Sequence, residues 1–173
     1  MRLFFSINYE RPPDIAKRRW PGISRDAMGE IGALWDSKFK ARHFEPGAAD
    51  RYGYQPRSTK YLAKKRRLAG LSGQARGKFR ISPNVERPLV FSGDLRRAVL
   101  MRHLPRAFPT RVTVNMPTPR YAQMKPYKTG RPNLGDELTK VTPDEFIELE
   151  NRYRDELEAG IEAARASKTV RIN

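Results

Sequence analysis

The sequence predicts an α+β fold: a small antiparallel sheet packed by two or three helices, with extended Pro-rich arms or loops. Residues 3–9 and 111–116 alternate apolar and polar side chains, the period of a strand with one buried face. Met28 to Phe39 and Phe146 to Ile161 instead space their apolar residues three and four apart, as a helix with one buried stripe requires. Most of the 14 prolines fall between these segments, where they punctuate connections. The 173 residues suit a single domain spanning 1–173.

The first strand carries Leu3, Phe5, Ile7 and Tyr9 on one face and ends at Arg11-Pro12-Pro13. Ser24 is expected to cap a helix running to about His43, with Met28, Ile31, Leu34 or Trp35, and Phe39 as its buried stripe. Gly29 and Gly32 weaken that helix by about 1 kcal/mol each relative to Ala, so it depends on packing. Phe44, Pro46 and Gly47 mark the exit. Arg51-Tyr52-Gly53-Tyr54-Gln55-Pro56-Arg57 reads as irregular or extended. Ser58 then caps a short helix through Tyr61, Leu62 and Leu68, stopped by Gly70. Residues 70–87, with three glycines and Pro83, read as a long loop or arm.

The sequence pattern is organised around residues 88–99, which read as a short buried strand of Leu89, Val90 and Phe91 turning directly into a helix. Pro88 suits a strand start because it has no N–H for the ladder. Ser92 can cap the helix, Asp94 puts negative charge in its first turn, and Leu95 and Val99 share one face. Pro109 and Pro117 bracket the strand at 111–116. A short piece at 121–124 and a polar, turn-rich segment at 125–134 follow. Thr142-Pro143-Asp144-Glu145 then supplies a cap, a first-position proline and a capping-box acid. The helix expected at 143–166 buries Phe146, Leu149, Tyr153, Leu157 and Ile161. On its outer face Glu148 is expected to pair with Arg152, and Glu150 with Arg154. The last residues, 168–173, form a final strand or a tail.

Charge is the strongest compositional feature, at +16. Residues 1–80 carry +12, residues 81–131 carry +8 and residues 132–173 carry −4. A field of this kind implies a polyanion, an acidic protein surface, or the acidic end of a neighbouring copy. The absence of cysteine excludes disulfides and thiolate metal sites and fits a chain made in a reducing cytosol. No apolar run approaches the roughly 20 residues of a membrane span, and no signal-peptide core is expected.

Catalytic patterns are not found. His43 and His103, the two histidines, lie far apart and are expected to be partly exposed structural residues, since zinc needs several clustered ligands. Ser92 has Val90 where a nucleophile elbow needs glycine. Gly70-Leu71-Ser72-Gly73 lacks the lysine of a phosphate loop. No cofactor or metal is expected, and the chain reads as no enzyme. The candidates that remain are basic: Lys64, Lys65, Arg66 and Arg67, flanked by Arg57, Lys60, Arg76, Lys78 and Arg80. Such a run is either a solvated helix face or a set of phosphate contacts that do not read sequence. Tyr52, Tyr54 and Tyr61 fit a core better than a base-stacking platform.

Taken in order, Trp35 on an amphipathic helix, Arg51-Tyr-x-Tyr with Arg57, Tyr61 and Lys65, and Pro88-Leu-Val-Phe-Ser-Gly-Asp-Leu resemble the virion-morphogenesis and tail-completion proteins of tailed bacteriophages. Tyr121-Ala122, Gly130-Arg131-Pro132-x-Leu134-Gly135 and the terminal helix extend the resemblance over residues 30–160. It implies a non-enzymatic structural subunit of the virion neck, made in the host cytoplasm. Copies of itself would form a ring, of about six or twelve subunits, meeting head to tail. Its neighbours would be connector or portal proteins on one side and tail-tube proteins on the other, with packaged DNA passing through the lumen. The alternative is a basic, sequence-nonspecific nucleic-acid-binding protein.

Overall fold

Strand β1 (Arg2–Ser6) opens a computed structural model that describes residues 2–69, 89, 94–101, 104–117 and 133–169. The elements that follow are α1 (Trp20–Leu34), a π-helical turn (Trp35–Phe39), a 3-10 turn (Lys40–Phe44), α2 (Ala48–Arg51), α3 (Thr59–Ala69) and α4 (Asp94–Leu100). Then come β2 (Arg106–Phe108), β3 (Arg111–Asn115), α5 (Leu134–Leu138) and α6 (Pro143–Thr169). The fold is α+β. The chain divides into two compact units, one made of Arg2–Lys38, His103–Asn115 and Pro143–Asn173, the other of Phe39–Arg102 and Met116–Thr142.

The first, the sheet unit, holds a three-stranded antiparallel sheet in the order β1-β3-β2. Alternation does what it predicts in β1: Leu3 and Phe5 are buried while Arg2, Phe4 and Ser6 are exposed. The strand stops at Ser6, short of Tyr9, because Ser6 pairs with Arg111 at the very start of β3. Strand β2 has only three residues, too few for its alternation to register, and a Pro109–Thr110 turn folds it back on β3. Ser6 Oγ donates to the Thr110 carbonyl at 3.1 Å, fastening β1 to that turn.

Helix α1 covers one face of the sheet, and α6 lies against α1. Met28, Ile31 and Trp35 are fully buried, and Phe5 meets Trp35 at 6.4 Å between centroids. Ser24 does not cap this helix. The helix begins at Trp20 with Pro21 in its first turn, and Ser24 is an interior residue that is itself buried. Its hydroxyl donates to the Pro109 carbonyl and lies 3.1 Å from the Tyr153 hydroxyl, joining α1 to the hairpin turn and to α6. At the other end of α1, Ser37 Oγ donates to the carbonyls of Ala33 and Leu34. A hydroxyl that binds these carbonyls competes with the helical ladder, and the π-turn occurs here.

In α6, Leu149, Tyr153, Leu157 and Ile161 are buried as expected, but Phe146 is 52% exposed and Glu145 is buried in its place. Glu148 pairs with Lys38 rather than Arg152, which bridges Glu30 and Glu156 instead; Glu150 does pair with Arg154, at 2.7 Å. The expected strand at 89–91 and the Ser92 cap largely fall outside the described residues. Leu89 itself is buried in a turn, and Leu95 and Val99 are buried together on α4. The segments at 70–87 and 118–132 and the end at 170–173 also lie outside them.

Candidate interaction surface

The second, helical unit contains the basic residues singled out from the sequence. Helix α3 begins where local chemistry says it should: Ser58 Oγ accepts from the Tyr61 amide at 3.3 Å, a capping contact. The helix carries Lys60, Lys64, Lys65, Arg66 and Arg67 and no acid. Lys60, Lys64, Arg66 and Arg67 are exposed, whereas Tyr61 and Leu62 are half-buried. Lys60, Lys64 and Arg67 recur four and three apart, so they form one outward stripe.

Two of the candidates turn inward. Lys65 is 1% exposed. Burial pushes its ammonium down from 10.5 to about 8, and the nearby Arg57 charge acts in the same direction. Arg57 makes a two-pronged pair with Glu137, at 2.9 Å and 2.5 Å, with both side chains almost wholly buried. Glu137 also accepts from the Gln55 amide at 3.2 Å. It is held in place by α5, whose start is capped by Asn133 Oδ1 accepting from Gly135 and Asp136. Arg57 is thus a structural cation in this unit. Arg76, Lys78 and Arg80 lie outside the described residues.

Beside that pair sits a stack of rings. His43 lies on Tyr52 with centroids 4.0 Å apart and planes 9° apart, and Tyr52 lies 5.7 Å from Tyr54. Gly53 permits this by adopting φ +56°, which brings both tyrosines to the same side of the turn. The Tyr54 hydroxyl bonds His43 Nδ1, and Lys140 donates to the Gly53 carbonyl at 2.6 Å. His43 is fully buried, not partly exposed as its lone position in the sequence suggests. Desolvation lowers it to about 4, the Arg51 charge helps, and a backbone hydrogen bond at Glu137 opposes. At neutral pH it is therefore an uncharged ring in a packed stack. Tyr52 and Tyr54 are core residues and offer no open face for a base.

Comparison with known protein families, curated proteins and solved structures found no match. Among the described residues no group of three or more His, Asp or Glu side chains comes together to hold a metal ion. No helix among them is long and apolar enough to cross a membrane. Among the described residues of the helical unit, the outward stripe of α3 is a run of exposed cations with no acid on the same helix. Sequence reasoning found that stripe but missed Glu137, whose pairing with Arg57 spans 80 positions and has no local signal.

Proposed function

We propose that this chain is a structural subunit of a tailed-phage virion, forming a ring at the neck that joins head to tail. The observation that carries the reading is the separation of charge between helices. Helix α3 bears four exposed cations and no acid, whereas α6 bears eight acids against four bases. Ring subunits meet through two different surfaces, and opposite charge on those surfaces steers and registers the contact. The resemblance of the motif order to that of tail-completion proteins supports the same reading, as do the Pro-rich connections, which suit wrapping a neighbour.

A gold label on this chain in purified particles is expected at the head–tail joint. Label on the capsid shell, or no label on the particle, would overturn the reading. Changing Lys60, Lys64, Arg66 and Arg67 to Glu is expected to abolish head–tail joining while the protein remains folded. Lys65 is left alone because it is buried. The outward stripe of α3 also favours a second reading, a basic nucleic-acid-binding protein. That protein would bind duplex DNA as an isolated monomer, with affinity falling steeply as salt rises.

A further inference from the structure

The sheet unit has a cationic surface of its own, on the face of the sheet turned away from α1. Opposed residues share a face, and the register aligns Arg2 with Asn115, Phe4 with Thr113 and Arg106, and Ser6 with Arg111 and Phe108. The other face holds Leu3, Phe5, Ala107, Val112 and Val114. It is the face α1 covers, since a Cβ at Gly32 would meet Val112 and one at Gly29 would meet Ala107. On the outer face Arg2, Arg106 and Arg111 are exposed, and Phe4 is 57% exposed. The guanidinium carbons of Arg106 and Arg111 lie 5.5 Å and 4.8 Å from the Phe108 ring centroid. That contact holds both cations against the sheet.

Two observations identify the occupant. The three strands carry three arginines and no carboxylate, and none of the three is paired with an acid among the described residues. Elsewhere in the same unit Arg152, Arg154 and Arg165 each hold a carboxylate. The uncompensated charge calls for a polyanion. The bare Phe4 ring among these cations calls for a flat apolar partner. A duplex hides the faces of its bases, and an acidic polypeptide offers a flat ring only at its aromatic residues, whereas every nucleotide of a single strand offers one beside a phosphate. We infer that this face docks single-stranded nucleic acid, stacking a base on Phe4 and holding phosphates with Arg2, Arg106 and Arg111. The inference does not rest on the neck assignment and concerns a different helix-free surface from α3.

The test is fluorescence anisotropy of a labelled oligothymidylate, and of a duplex of equal length, titrated with the full chain. The background variant carries Lys60→Gln, Lys64→Gln, Arg66→Gln and Arg67→Gln, so that α3 does not mask the signal. On it, Phe4→Ala is expected to weaken oligothymidylate binding about 10-fold or more, leave duplex binding unchanged, and be rescued by Phe4→Trp. Arg106→Gln with Arg111→Gln should lower the salt slope by about 1.4. Phe4 is exposed, so the Ala variant should keep the parent circular dichroism spectrum. Oligothymidylate binding that disappears in the background variant, or that Phe4→Ala leaves intact, would overturn the inference. So would an equal loss on duplex, or polyglutamate binding that depends equally on Phe4.

Discussion

Gly32 shows how a residue can look like a flaw in sequence and be required in space. A Cβ there would lie 2.7 Å from Pro105 Cβ and 2.7 Å from Val112 Cγ2, so α1 can approach the sheet only with hydrogen at that position. The helix propensity that alanine would add, about 1 kcal/mol, competes with overpacking against a rigid ring and a β-branched chain, which costs about 1–3 kcal/mol. Gly32→Ala is expected to lower the urea midpoint, and the equilibrium unfolding curve checks it. His43 makes a second prediction at this scale. Its folded pKa of about 4 lies below the ordinary 6.5. Between those values the unfolded chain binds a proton that the folded chain refuses. Stability from this group is therefore intact above pH 6.5 and falls as the pH drops toward 4. The loss between pH 7 and pH 5 is about 2 kcal/mol. Urea unfolding at both pH values should show His43→Phe losing that part of the dependence.

Among the elements, α5 is tied to the segment 54–57 by charges that have left water. A buried pair is expensive to break from one side, because the survivor is stranded. Arg57→Met is expected to cost about 3–5 kcal/mol by leaving the buried Glu137 without its counter-charge. Arg57→Met with Glu137→Gln should recover much of that, since the amide oxygen can still accept from Gln55. A double-mutant cycle by chemical denaturation measures the coupling. Helix α6 teaches a related lesson about periodicity. Phe146 has the right spacing for the buried stripe, yet it is 52% exposed. Burial depends on what lies opposite the first turn, and spacing contains no information about that. Its ion pairs follow the same logic: Glu148 and Arg152 stand four apart, but Lys38 and Glu30 come from elsewhere and take them.

At the scale of the whole molecule the net charge of +16 acts on every process the chain undergoes. Self-repulsion of this size destabilises the compact state, and salt screens it over about 10 Å at 0.1 M. Raising sodium chloride from low to near-physiological strength is expected to raise the thermal midpoint. The Lys60, Lys64, Arg66 and Arg67 to Gln variant should show a smaller rise. A midpoint independent of salt in both proteins would mean that the cations are already compensated within the fold.

Local chemistry was legible in advance. The Ser58 cap, the strand beginning at Arg111 and the helix beginning at Pro143 depend on neighbours within a few positions and could be read from order alone. Tertiary structure decided whatever needed a distant partner. It made Ser24 a bridge instead of a cap, drew Arg57 to Glu137 across 80 positions, buried Lys65 and His43, and recruited a three-residue strand whose Arg106 and Phe108 complete an outer sheet face. The physical reason is that propensity and capping are energies of adjacent residues, whereas desolvation and pairing are energies of whatever the fold brings alongside.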